Sequence, residues 1–344
     1  GGGKRIRPLL LLISSRLCGG ENNDKVIRHA TAIEYVHAAS LLHDDVVDET
    51  TLRRGNPTVN TKWGSDASIL VGDFLIARAL LLLSNDVDEV VFRSFAEGAK
   101  TLVEGGLLEF THARDIKVTE QHCIDVAKRK TASVMALSCQ LGAQLSKADP
   151  VTVKKLYDFG LNFGIAFQLV DDAMDYEGSP DQLGKSAGTD LKEGHVTLPL
   201  RYLYNHADST LKREIEGFIQ NERLAQKDLD YILERMREVK AVEYTLNLAR
   251  QHMVRAKESL ESVSFHTPEF KPALLTTADH IVDRLGLERD PSRSALFDIL
   301  VSAADIPRSV LTRDRHRARR ALRDLTGQIH GVSAWDTRAQ KDCQ

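Results

Sequence analysis

The sequence predicts an all-α protein, an antiparallel helical bundle, and three observations carry that expectation. Leu- and Ala-rich stretches bear charged residues at helical spacing along most of the 344 residues. Strand signals are sparse. Pro (9 residues) and aromatics (6%) are both scarce. In chain order, helices are expected over 6–18 and 23–50, separated by GGENN. After the RGNP turn come 65–84, 87–112 and 119–146, and ADP leads into 150–177. The stretch EGSPDQLGKSAG then breaks the chain before 197–206, 209–220, 227–239 and 242–262, and FHTPEF precedes 268–284. No solenoid period is visible. One helical domain over 1–284 fits this pattern better than two.

Residues 285–344 differ in character. They hold 10 Arg and 1 Lys, against 18 Arg and 17 Lys in 1–284. The segment 308–325 could form a short basic helix, but a charge-rich tail is ordinarily a solvated extension, and no function is inferred from it. The net charge of −3 argues against a general nucleic-acid binder. Cys18, Cys123, Cys139 and Cys343 show neither CxxC spacing nor a disulfide framework, so a reducing cytoplasm is the expected setting. PLLLLI (8–13) is too short to span a bilayer, and Gly1-Gly2-Gly3-Lys4 lacks the features of a secretory signal.

Chemistry is expected at two acidic clusters. In LLHDDVVDETTLRRG (41–55), Asp44 and Asp48 lie one helical turn apart on one face, with Asp45 rotated partly around. FQLVDDAMDYEG repeats the spacing with Asp171, Asp172 and Asp175. Each cluster closes an apolar helix, where like charges repel and resist desolvation. A hard divalent cation resolves that repulsion. Mg²⁺ prefers oxygen and binds a few carboxylates together with substrate phosphate, whereas no His/Cys set has zinc spacing. Basic residues stand close to acids or glycines: Lys4, Arg7, Arg53, Arg54, Lys130, Lys185 and Lys192. Arg forks and Lys point charges both suit diphosphate. GGGK is not a P-loop, because GxxxxGK[ST] is absent.

These motifs, taken in order as GGGKRIRP, EYVHAASLLHDDVVDETTLRRG, RKTAS, FGIAFQLVDDAMDYEG and GKSAGTDLKEGHVTLP, resemble the trans-type (head-to-tail) isoprenyl diphosphate synthases over about 1–284. Within that family the chain looks most like a long-chain polyprenyl diphosphate synthase. The resemblance implies an isoprenoid-synthase-type bundle around a deep central cavity, usually a homodimer, with both acidic motifs facing each other across Mg²⁺. It implies that Asp44 and Asp48, supported by Asp45, hold Mg²⁺ on one side. Asp171 holds it on the other, with Asp172 and Asp175 in the same motif and Asp190 further out. Arg53, Lys130 and Lys185 are expected on the allylic diphosphate, such as farnesyl or geranylgeranyl diphosphate. Lys4, Arg7, His37 and Arg54 are expected on isopentenyl diphosphate. Thr131 and Gln168 are expected near the reacting carbons. Ala39 stands where short-chain members carry a bulky aromatic; with Val36 and Ala32 it is expected to leave room for a long all-trans product, used for quinone side chains. A transient membrane contact would serve product release.

Three departures accompany the resemblance. The helix that usually precedes GGKR is not in this sequence. His195 stands where many members have Lys, and a neutral imidazole would attract phosphate less. The Arg-rich extension has no counterpart. Two alternatives stand beside the synthase. A class I terpene cyclase typically replaces the second cluster by an Asn/Ser/Glu triad, and an inactive regulatory subunit tends to lose motif acids or arginines. This sequence keeps both sets.

Overall fold

The computed structural model describes residues 5–53, 55–85, 88–177, 188–220 and 225–282. Lys4, Arg54, Lys185 and the whole 285–344 extension lie outside them. The helices fall where periodicity and capping residues place them. Helix α1 (Ile6–Leu17) is followed by α2 (Asp24–Val47), whose first N–H groups are taken by the Asn23 side chain, from Lys25 at 3.0 Å and Val26 at 3.2 Å. Asp88 caps α5 (Glu89–Thr111) and Thr119 caps α6 (Glu120–Val126) in the same way. Between α2 and α5 lie α3 (Val59–Trp63) and α4 (Ser65–Leu83). A two-residue hairpin, Leu52–Arg53 against Asn56–Pro57, occupies the RGNP turn; it is too short to leave a strand signal in the sequence.

The expected single helix over 119–146 is three pieces. Helix α6 runs into a π-helical turn (Ala127–Ala132), which continues as α7 (Ser133–Leu145). One inserted residue widens the turn without breaking the apolar pattern, which is why periodicity alone reads straight through it. The long α8 (Pro150–Glu177) follows, then the short α9 (Thr189–Glu193). The remaining helices are α10 (Leu198–His206), α11 (Ser209–Gln220), α12 (Gln226–Glu238), α13 (Ala241–Ser259) and α14 (Lys271–Val282). A 3₁₀ turn (Pro268–Phe270) leads into α14, so the last predicted helix begins three residues late.

Helix α8 runs along α7 and α13, while α2 pairs with α4. Leu9 to Ile13 and Leu17 of α1 are buried against α7, so PLLLLI is a core segment. The end of α1 is tied to residues from far along the chain. The Thr267 N–H donates to the Leu17 carbonyl (3.2 Å), its hydroxyl donates to the Arg16 carbonyl, and the Arg16 guanidinium lies over the Phe270 ring at 4.9 Å. A second, smaller core joins Ile116, Tyr176, Leu191, Leu200, Leu203 and Ile215 beneath α9 to α12. No described helix is long and apolar enough to cross a membrane. Cys18, Cys123 and Cys139 are free thiols.

Candidate active site

Helix α2 delivers the first cluster at its C-terminal end, where its final carbonyls already concentrate negative charge. Asp44 is half-buried and faces the π-turn, with Lys130 Nζ 3.8 Å from its carboxylate. Burial pushes the Asp44 pKa up, and the charges of Asp48 and Glu109 add to this against Lys130 and Arg53. Lys130 also forms an ion pair with Glu109 of α5. Burial would discharge that ammonium, but Glu109 and Asp44 outweigh it and its pKa is pushed up.

Asp45 departs from its expected place among the metal ligands. One residue further round the helix, it is 4% exposed and turned to the hairpin, where Arg53 Nε donates to it at 2.7 Å. The Asn60 amide donates to its backbone carbonyl at 2.8 Å. Asp45 therefore orients Arg53, and the 100° step between neighbouring helical residues is the reason.

Asp48 caps α2 and lies 3.5 Å from His195 Nε2. Burial opposes its charge, yet the His195 hydrogen bond and the nearby bases bring its pKa below the ordinary value. The expectation of a neutral His195 is overturned. Burial disfavours the imidazolium, but Asp48, Glu109 and Asp190 raise its pKa to about 9. His195 thus supplies positive charge at neutral pH as a Lys would. One ring nitrogen of His195 and a carboxylate oxygen from each of Asp190 and Glu193 lie within 4.8 Å of one another, a grouping that favours the imidazolium. Because the folded pKa is raised above 6.5, its contribution to stability is complete below that value and is lost as pH rises through about 9. In chelator-treated protein, His195→Gln is expected to abolish that loss, worth at most about 3 kcal/mol. Parallel melting curves for the two proteins from pH 6 to 9.5 would refute the pairing.

The second cluster closes α8 and divides its work. Asp171 is exposed. Asp172 is buried, which pushes its pKa up to about 7 even though the Gln168 amide donates to it at 2.7 Å. Gln168 in turn accepts the Thr131 hydroxyl proton at 2.6 Å, so a chain of hydrogen bonds runs from the π-turn to Asp172. Asp175 is 1% exposed; its carboxylate accepts the Asp190 N–H (2.9 Å) and its carbonyl accepts the Gly188 N–H (2.8 Å). Expected as a metal ligand, Asp175 instead anchors α9 and so fixes the segment carrying His195.

The two clusters therefore belong to one site. Asp44 reaches Lys130, whose neighbour Thr131 leads through Gln168 to Asp172. Asp48 reaches His195, whose segment is pinned to Asp175. On the other side, Arg7 Nη1 and His37 Nε2 are 3.0 Å apart, which brings two expected isopentenyl diphosphate ligands together. Ala32 and Ala39 are buried, and Val36 packs half-buried against the main core. A separate pocket of about 460 Å³ between α5 and α6, lined by His122 and Arg129 among others, contains none of the expected site residues.

Glu109 is the residue that sequence reasoning missed. It sits in no acidic motif, and its partner lies 21 residues away on another helix. Facing carboxylates with few soft donors suit a hard divalent cation, and Asp44 and Asp172, whose pKa values burial raises with a further push from neighbouring carboxylates, would be relieved by such an ion.

Known proteins share this sequence pattern and fold. The polyprenyl synthetase family model matches residues 1–236. The octaprenyl diphosphate synthase of Haemophilus influenzae is 36% identical over 284 residues, covering 83% of this chain and 85% of that one. A decaprenyl diphosphate synthase structure from Rhodobacter capsulatus superposes with a TM-score of 0.78 at 33% identity, covering 83% and 87% of the two chains. A polyprenyl synthase structure from Caulobacter crescentus, complexed with calcium and isoprenyl diphosphate, gives 0.78 at 35% identity over 83% and 86%. With an isoprenoid synthase fold and two acidic clusters linked through the π-turn, the chain belongs to the polyprenyl synthetase family and is a polyprenyl diphosphate synthase, a prenyltransferase.

Proposed function

We propose that this chain extends an allylic diphosphate, such as farnesyl or geranylgeranyl diphosphate, with successive isopentenyl diphosphates to a long all-trans polyprenyl diphosphate, a precursor of quinone side chains. The observation that carries the reading is the pairing of the first cluster with basic residues, Asp44 with Lys130 and Asp48 with His195, together with the Thr131–Gln168 link from the Lys130 turn to Asp172 of the second cluster. Those bases lie where a diphosphate between the clusters would meet them.

Asp44, Asp48 and Asp171 would hold Mg²⁺, with Asp172 and Asp190 behind them. When bound, the metal neutralises the diphosphate and promotes its departure. Lys130 and Arg53, the latter aimed by Asp45, take up charge on the leaving oxygens, and Lys185 joins them in this role. Arg7 and His37, with Lys4 and Arg54, hold isopentenyl diphosphate so that its double bond faces the allylic carbon. Thr131 and Gln168 present oxygen toward the positive charge that develops there. No side-chain nucleophile is needed, and the released diphosphate can accept the proton lost on forming the new alkene. The buried α2 and α8 faces keep water from the cation. Ala39, Val36 and Ala32 bound the product chain.

The active species is a homodimer in this reading. Its contact would cover apolar side chains that α4 and α5 leave exposed, such as Leu70, Leu81, Val103, Leu107 and Phe110. Light scattering on the purified chain would report the mass of one copy if this is wrong.

Incubation with Mg²⁺, farnesyl diphosphate and labelled isopentenyl diphosphate, followed by product sizing, tests the whole reading. A ladder ending in one long product is expected, and EDTA should reduce turnover at least about 10³-fold. Cyclic hydrocarbon would point to a terpene cyclase. Absence of turnover without a second protein would point to a subunit of a heteromeric enzyme.

A further inference from the structure

Lys130 and Thr131 leave the chain from the π-turn, and two neighbouring helices approach that turn in the same manner. On α5, a Cβ at Gly105 would lie 2.3 Å from the Lys130 nitrogen and 2.7 Å from both Lys130 Cα and the Arg129 carbonyl carbon. On α8, a Cβ at Gly164 would lie 2.4 Å from Ala132 Cα. These are mostly backbone atoms, which no rotamer change can move aside. One helical turn after each glycine, on the same face, stands a polar side chain that takes hold of the turn's functional group. Glu109 pairs with the Lys130 ammonium, and Gln168 accepts from the Thr131 hydroxyl.

We propose that Gly105–Glu109 and Gly164–Gln168 form a two-sided clamp on the π-turn, with the two glycines as positioning residues that aim Lys130 and Thr131 into the site. A π-turn is an uncommon conformation that persists only where its surroundings over-determine it. Glycine is a poor helix former, and at Gly105 and Gly164 close approach accounts for it. Gly106 provides the contrast: it is the next residue on α5, and a Cβ there would meet nothing within 4 Å. The clamp rests on the proposed reading in one respect, the assignment of Lys130 to the allylic diphosphate.

Gly105→Ala and Gly106→Ala add the same methyl group to the same helix, and both favour helicity. With Mg²⁺, farnesyl diphosphate and isopentenyl diphosphate, Gly105→Ala is expected to lower kcat/KM for farnesyl diphosphate about 100-fold. Gly106→Ala should stay within about twofold of the unmodified enzyme. In a Lys130→Ala background, Gly105→Ala should add less than about threefold, a non-additivity that general damage to the fold would not produce. Full activity of Gly105→Ala beside an impaired Lys130→Ala overturns the clamp. Unchanged kinetics for Lys130→Ala would instead remove the diphosphate role of Lys130, and with it the premise of the clamp. Should Gly105→Ala fail to fold, Glu109→Gln takes its place. It should lose about tenfold with Lys130 present, the effect of one charge-assisted contact, and little more without it. No loss in Glu109→Gln would refute the clamp.

Discussion

Asp44→Asn is expected to cut turnover about 10³-fold while raising the melting temperature of the metal-free protein. The two effects share one cause. Asp44 is a desolvated carboxylate whose folded pKa is raised, so its ionised form is disfavoured by folding at neutral pH. Asparagine keeps the shape and removes the charge. Lys130 keeps Glu109 as its partner, so no buried ammonium is left unpaired. What would be lost is an anionic oxygen for the cation that Asp44 is proposed to hold. Saturating Mg²⁺ should not restore kcat, and thermal melts in EDTA should shift upward. Near-normal turnover would take Asp44 out of the metal site. A lower melting temperature would mean that its pairing with Lys130 outweighs its burial.

Ala39→Tyr is expected to shorten the product. Ala39 is 1% exposed on α2, five residues before Asp44, so a phenol ring must either enter space reserved for the growing chain or collide with packed neighbours. The two cases separate in stability. A ring that fills substrate space adds little strain, whereas overpacking a closed core costs about 1–3 kcal/mol. The expected result is a truncated product ladder with a melting temperature close to that of the parent. A destabilised protein with an unchanged ladder would show that Ala39 faces ordinary core and that the product is limited elsewhere. Val36→Phe, one turn deeper and already half-buried, should allow a product of intermediate length.

Much of the scaffold is legible in the sequence because its causes are local. Asn23, Asp88 and Thr119 announce helix starts by their own side chains, and the apolar periodicity of α2 and α8 carries through to the acidic clusters. The repeated aspartate spacing marks the chemistry for the same reason. What could not be read depends on atoms brought together by folding. Asp45 shares a motif with Asp44, but only the hairpin beside it shows that Arg53 claims its carboxylate. The charge on His195 follows from a 3.5 Å approach to Asp48 across the cleft. Asp175 repeats the spacing of Asp48, yet α9 folds back on it and turns a candidate ligand into an anchor. The π-turn hides because one inserted residue barely disturbs a hydrophobic pattern.

The tie between α1 and residues 265–270 also bears on how the molecule is made. Thr267 meets Arg16 across 251 positions and Leu17 across 250, so a helix that leaves the ribosome early is enclosed by a segment made much later. Until then its run of leucines lacks part of its cover, and non-local closure of this kind is slow. A nascent chain therefore carries an adhesive apolar helix until residues 265–270 emerge, a circumstance that favours chaperone capture and penalises premature termination. Arg7 sits on that same helix. Under the proposed reading, its hold on isopentenyl diphosphate is thus fixed only when synthesis of the helical domain is almost finished.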